Sequence, residues 1–115
     1  MDQYWEKAGW VNDEELGRRV KFINKLMIDL KEHFGRGQIV GTTAYKYFEI
    51  SSEALGTMHV QVYYDKRNES LEFDRYYENE TLHDEYQKHQ SVPMSFNDYD
   101  KMFKFALSTV NSLLS

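Results

Sequence analysis

The sequence predicts one α+β domain of order α-β-β-β-α, in which two helices pack on one face of a three-stranded antiparallel sheet. Two stretches with apolar residues at helical spacing enclose three stretches that are rich in β-branched and aromatic residues. The chain has 115 residues, a common size for one domain, and 41% of them are hydrophobic. Length and composition therefore favour a single folded domain over residues 1–115.

The first helix is predicted over residues 13–34. Its apolar side chains are spaced alternately by four and three residues, which places them on one face of a helix. These are Leu16, Val20, Ile23, Met27, Leu30 and Phe34. Asn12 and Glu15 form a capping-box pattern at the start, and Gly35 stands where a helix commonly ends. Residues 1–11 are expected to form an N-terminal arm.

Three strands are predicted over residues 38–50, 57–65 and 70–77, and their short connections favour antiparallel neighbours. Alternation along each strand assigns a first set of side chains to a core face that both helices cover. That set comprises Val40, Ala44, Phe48, Ile50, Met58, Val60, Val62, Tyr64, Leu71, Phe73 and Tyr77. The opposite face then carries Thr43, Tyr45, Tyr47, Glu49, His59, Gln61, Tyr63, Glu72, Asp74 and Tyr76.

A second helix is predicted near the end of the sequence. Its apolar stripe consists of Phe96, Tyr99, Phe103, Ala106, Val110 and Leu113, and Ser95 with Asp98 resembles a capping box. Residues 78–94 are expected to form a long acidic connection to it, since Pro93 disfavours a helix that runs in from upstream. A connection longer than about 12–15 residues is commonly functional.

The distribution of charge limits the partners that the protein could bind. The net charge is −5, and the excess of acid lies after residue 36. Such a surface disfavours contact with nucleic-acid phosphates. The order α-β-β-β-α resembles that of double-stranded RNA-binding domains, but Asp98 and Asp100 stand where those domains carry basic residues at the second helix. We therefore expect no direct nucleic-acid binding.

No pattern in the sequence predicts catalysis, a metal site or a cofactor. Cysteine is absent, and neither a glycine-rich phosphate loop nor a nucleophile elbow occurs. His83 and His89 are the best candidate metal ligands, together with Asp84 and Glu85. The two histidines are six residues apart, whereas zinc motifs on a helix place two ligands four residues apart on one face. We expect a protein that is not an enzyme and has no cofactor.

The sequence also lacks a segment suited to a membrane or to export. Its longest unbroken apolar runs, such as LMI and FAL, have three residues. A membrane span needs about 20. Asp2 and Glu6 stand where a signal peptide is basic and then apolar. We therefore expect a cytoplasmic protein that does not contact the membrane.

Tyrosines and acids on the face opposite the predicted core suggest a function. Tyrosine supplies a large contact area, keeps a polar tip and is enriched at interfaces. We expect a non-catalytic module that binds another protein, as a small intracellular inhibitor or an immunity protein does. The predicted partner-binding residues are Tyr45, Tyr47, Tyr63, Glu72, Asp74, Tyr76, Glu78, Glu80, Asp84 and Glu85.

Other interpretations of the same residues stay open. Cross-strand aromatic pairs stabilise a sheet by about 0.2–1 kcal/mol each, so the tyrosines also have a structural explanation. The acids after Tyr77 are consistent with a solvated loop. They are also consistent with a mimic of DNA phosphates that inhibits a nucleic-acid enzyme, as some anti-CRISPR and anti-restriction proteins do. A homodimer through the tyrosine face is a further alternative.

Overall fold

The computed structural model describes residues 13–41, 46–52, 57–77 and 88–115. These residues form helices α1 (Asp13–Phe34) and α2 (Tyr99–Leu114) and, between them, five strands. The strands are β1 (Gln38–Gly41), β2 (Lys46–Ser52), β3 (Met58–Asp65), β4 (Ser70–Tyr77) and β5 (Lys88–Pro93). They form one antiparallel sheet in the order β1-β2-β3-β4-β5. The predicted α+β class is confirmed, and the predicted number of three strands is wrong.

The first additional strand arises because residues 38–50 form a hairpin and not one continuous strand. Strands β1 and β2 are neighbours, with Ile39 opposite Phe48 and Val40 opposite Tyr47. Partners across an antiparallel pair lie on the same face of a sheet. Ile39 therefore contacts the core, and the assignment of Val40 to the core face is wrong.

The second additional strand lies in the predicted acidic connection. Strand β5 pairs with β4, with Gln90 opposite Phe73. Its sequence, KHQSVP, contains one β-branched residue, so strand propensity did not indicate it. The predicted N-terminal arm, Thr43, Ala44 and the part of the connection before β5 lie outside the described residues.

The observed start of each helix can be compared with its predicted N-cap. Helix α1 has the predicted bounds, and its expected cap, Asn12, lies outside the described residues. Helix α2 begins later than Ser95, because Asp98 is the cap and accepts the Lys101 N–H at 3.1 Å. Aspartate at this position satisfies a backbone donor and favours the positive end of the helix dipole.

The hydrophobic core lies between the helices and one face of the sheet. Leu26 and Leu30 of α1 and Ala106 and Val110 of α2 are fully buried. They pack against strand residues that include Phe48, Ile50, Val60, Val62, Leu71 and Phe73. The opposite face carries no helix from the described part of the chain. None of the helices described is long and apolar enough to cross a membrane.

Gly37, between α1 and β1, is expected to tolerate no side chain. Its φ is 105°, and a Cβ added there would lie 2.6 Å from Cε1 of the buried Phe48 ring. We expect Gly37→Ala to lower the free energy of unfolding by about 2 kcal/mol, because backbone strain adds to displacement of the ring. Urea denaturation measures the loss. Gly17→Ala in α1, with nothing within 4 Å of the added Cβ, is the control and should be neutral or stabilising.

Candidate functional site

The face of the sheet opposite the helices brings tyrosines, acids and histidines together. We call it the polar face and use this term for eleven of the strand residues that share it: Tyr47, Glu49, Ser51, His59, Gln61, Tyr63, Glu72, Asp74, Tyr76, His89 and Ser91. The register places Tyr47, Tyr63, Glu72 and Ser91 in one row across the strands, and Glu49, Gln61, Asp74 and His89 in the next. Antiparallel pairing therefore produces the cluster from four separate strands.

Half of the residues predicted to bind a partner can be placed on this face. They are Tyr47, Tyr63, Glu72, Asp74 and Tyr76. The other predicted residues lie outside the described part of the chain and are Tyr45, Glu78, Glu80, Asp84 and Glu85. Strand alternation was sufficient to assign the first group to one face, because β2, β3 and β4 pair in continuous register.

Asp74 and Glu72 are held by neighbours on both adjoining strands. The Tyr63 hydroxyl donates a hydrogen bond to Asp74, and burial together with this bond raises the pKa of Tyr63 above its ordinary value. His89 contacts Asp74 through Nδ1, and its Nε2 lies 3.0 Å from Glu72 Oε1. Ser91 Oγ donates to the other carboxylate oxygen of Glu72. The two acids are therefore fixed in position by three polar side chains.

Glu72 is more buried than its predicted outward orientation implied. The residue is 8% exposed, although it lies on the predicted face. Its carboxylate accepts from Ser91 and contacts His89, which both come from β5. A buried carboxylate is retained where hydrogen bonds and a nearby cation compensate its lost hydration. Because β5 was not predicted, the burial of Glu72 was not predicted either.

Gln61 and His59 fix the other part of the polar face. Gln61 Nε2 lies 3.1 Å from Glu49 Oε2 and 3.3 Å from the Tyr76 hydroxyl. The His59 ring stacks on Tyr76 with centroids 5.0 Å apart, and its Nδ1 lies 2.7 Å from Ser51 Oγ and 3.1 Å from Glu49 Oε1. The His59 and Glu49 side chains are 13% and 12% exposed. The orientation of Tyr76 is thus set within the free protein.

An open depression lies between these two groups of contacts. It has a volume of about 320 Å³ and is lined by Tyr47, Gln61, Tyr63 and Asp74. Two tyrosines and a carboxylate together suit a cationic side chain, through attraction to the rings and to the acid. The strand residues of the polar face include three acids and neither Lys nor Arg, as far as the chain is described. The depression therefore favours a positively charged group of modest size.

The polar face does not offer a metal site in the described residues. His89, which the sequence offered as a metal ligand beside His83, contacts Asp74 and Glu72 with its two ring nitrogens. Within residues 13–41, 46–52, 57–77 and 88–115, no group of three or more histidine, aspartate or glutamate side chains could hold a metal ion. His83, Asp84 and Glu85 fall outside these ranges.

His89 makes the stability of the sheet edge depend on pH. Its hydrogen bond to Asp74 and the charges of Asp74 and Glu72 raise the pKa of His89 above its ordinary value, although partial burial opposes the shift. Protonation then favours the folded state. This stabilisation is complete below about pH 6.5 and is lost as pH rises through the higher pKa of the folded state.

We expect His89→Gln to lose more stability at about pH 6 than at about pH 9, because only the protonated ring carries the extra stabilisation. Denaturant unfolding at both pH values measures the difference. Ser91→Ala, which removes a contact of Glu72 without removing a titrating group, should lose the same amount at each pH. Equal losses for His89→Gln at the two pH values would contradict the assigned role of the histidine.

The chain matches no family model, no curated protein and no solved structure in the three comparisons made. The chemistry of the polar face is therefore the basis on which a function can be proposed.

Proposed function

We propose that the protein is a non-catalytic binding module that contacts a partner protein through the polar face. The observation that carries this proposal is the convergence of Tyr47, Tyr63 and Tyr76 with carboxylates on the face of the sheet that no described helix covers. Tyrosine anchors an interface well because it buries a large ring with few rotatable bonds. A module of this kind acts by occupying its partner's surface, as an intracellular inhibitor or an immunity protein does.

The internal contacts of the polar face support this proposal. Tyr63 is bonded to Asp74, while Tyr76 stacks on His59 and contacts Gln61. Side chains that are already ordered lose less conformational entropy when a partner binds. The face is therefore prepared for contact and needs little rearrangement.

The charge of the polar face defines the partner's chemistry. Acids and histidines are present on it, and none of the described strands places Lys or Arg there. A partner that presents Arg or Lys side chains would be steered to this face and would find the depression between Tyr47 and Tyr63. We infer a partner surface that is basic where it meets β3 and β4.

The nucleic-acid mimic receives less support from the acids that can be placed. Mimicry of phosphates requires exposed charges, whereas Glu72 is 8% exposed and both Glu72 and Asp74 are bonded to His89. A mimic would then have to present the acids of the connection between β4 and β5, which are Glu78, Glu80, Asp84 and Glu85. Charge reversal at these four positions should abolish binding if the protein is a mimic, and should have less effect than loss of Tyr63 if it is not.

Quantitative capture from a lysate of the source organism, followed by mass spectrometry, tests the proposed function. We expect the double variant Tyr47→Ala, Tyr63→Ala to lose proteins that the unmodified chain retains. The control is Ile28→Ala, which removes an apolar side chain that is 47% exposed on α1. Circular dichroism verifies that each variant is folded. Sedimentation at two concentrations determines whether the partner is a second copy of the chain.

If the double variant retained the same proteins and Ile28→Ala lost them, the binding surface would lie on the helices. That result would contradict the proposal.

A further inference from the structure

Strand β5 is the last strand of the described sheet, and no other described strand lies along its outer edge. Every residue of β5 is exposed except Val92, which is half-buried. The strand order places β4 on its inner side, and the sheet as described ends with β5. An exposed edge presents unpaired backbone N–H and C=O groups, which can pair with an added strand.

The register determines which backbone groups of β5 point outward. The Met94 N–H donates to the Glu69 carbonyl at 2.8 Å, which extends the ladder by one hydrogen-bonded pair. Bonded and non-bonded pairs alternate along antiparallel strands. The even-numbered residues of β5 therefore bond to β4, and His89, Ser91 and Pro93 direct their backbone groups to the outer edge.

Pro93 limits how far an added strand can extend. Proline has no backbone N–H, and in a sheet it is tolerated where that position faces outward. The outer edge of β5 thus offers the N–H and C=O groups of His89 and Ser91, and it loses its next donor at Pro93. This edge can bond a short strand through His89 and Ser91.

The polar side of this edge is acidic. His89 and Ser91 adjoin Glu72 and Asp74, and the described strands place no Lys or Arg on that face. An added strand would place the side chains opposite His89 and Ser91 on the same face. Long cationic side chains at those positions would reach Asp74, whose side chain is 34% exposed.

The other side of the edge is partly apolar. Phe105 of α2 is 39% exposed, and its ring centroid lies 6.0 Å from that of Phe73. Phe73 is opposite Gln90 in the sheet. An apolar side chain on an added strand opposite Gln90 would cover the exposed part of Phe105.

We propose that an extended segment of the partner adds to β5 as a further antiparallel strand, with Arg or Lys on the polar face and apolar residues on the other. This inference rests on the proposed function, since the cationic side chains of the segment would enter the polar face. A second copy of the chain fits less well, because its own β5 would bring another set of the acids Glu72 and Asp74 to the same edge. Charge complementarity thus favours a basic segment.

A synthetic peptide of about eight residues that alternates arginine and valine is the probe. We expect it to slow hydrogen exchange of the His89 and Ser91 amides, measured by NMR. Ser91→Pro removes one outward N–H and should weaken peptide binding at least about tenfold, whereas Ser91→Ala should stay within about threefold. The alanine variant is the matched control, because it loses the same hydroxyl and keeps the N–H.

Several results would overturn the inference. These are absence of peptide binding, equal binding to Ser91→Pro, and equal binding of a peptide that alternates glutamate and valine. Concentration-dependent protection of the His89 and Ser91 amides in the protein alone would place a second copy on the edge and would also overturn it. If Ser91→Pro does not fold, hydrogen exchange of the two amides in the unmodified chain, with and without the peptide, still shows whether the peptide pairs with β5.

Lysate capture separates failure of this inference from failure of the proposed function. If Tyr63→Ala loses the captured partner and Ser91→Pro keeps it, the polar face is the binding surface and the added strand is wrong. If Ser91→Pro loses both peptide and partner while Tyr63→Ala keeps both, strand addition holds and binding through the tyrosines is wrong.

Discussion

Replacement of Tyr63 by alanine is expected to weaken binding of the partner by about 100-fold. Tyr63 lies between Tyr47 and Glu72 in one row of the polar face and lines the depression. Loss of a central aromatic anchor costs about 2–4 kcal/mol at an interface, and about 1.4 kcal/mol corresponds to a tenfold change in affinity. Titration calorimetry with the purified partner measures the effect.

Tyr63→Phe separates the ring from the hydroxyl in this prediction. The phenylalanine variant keeps the aromatic surface and loses the hydrogen bond to Asp74. We expect it to weaken binding by no more than about tenfold, since a single hydrogen bond contributes about 0.5–1.5 kcal/mol. A larger loss for the phenylalanine variant than for the alanine variant would show that the ring is not the anchor.

Arg75→Ala is expected to lower the free energy of unfolding by about 3–4 kcal/mol. Arg75 lies on the core face of β4, is 7% exposed, and donates from Nη1 to the Leu113 carbonyl at 3.2 Å. Leu113 is in the last turn of α2, which carries no basic residue of its own. The guanidinium therefore compensates the negative end of the helix and connects it to the sheet. Its loss leaves a buried carbonyl without this donor and creates a cavity.

Urea denaturation measures the effect of Arg75→Ala, and Arg67→Ala is the matched control. Arg67 is exposed in the turn between β3 and β4, so its removal should change stability by less than about 0.5 kcal/mol. Similar losses for the two variants would contradict the structural role of Arg75. A decrease of less than about 1 kcal/mol in the free energy of unfolding of Arg75→Ala would contradict that role as well.

Local patterns in the sequence predicted the elements that are stabilised locally. The bounds of α1 were predicted correctly, because its apolar stripe and Gly35 indicate the same helix. Strands β3 and β4 were predicted with the correct face for each side chain that the alternation assigned, since both alternate and a tight turn joins them. Arg75 was not assigned to a face, because its burial depends on a long-range bond to α2 that the strand sequence does not indicate.

The remaining strands depend on information that a short window of sequence lacks. The division of residues 38–50 was missed because both parts have strong strand propensity. Strand β5 has little propensity and is held by its pairing with β4. His89 and Ser91 of β5 consequently reach the polar face only through long-range pairing. The convergence of the tyrosines was predictable, and the fixation of Glu72 and Asp74 by β5 was not.

Oxidative labelling of tyrosine rings, with and without the purified partner, tests directly whether the polar face is the binding surface. The proposed function predicts that Tyr47, Tyr63 and Tyr76 are labelled less in the complex, because they lie under the partner. Tyr99, which packs beside Phe22 between the helices, should be labelled equally in both states. Protection of Tyr99 with unchanged labelling of the three tyrosines on the polar face would show that the partner does not bind the polar face.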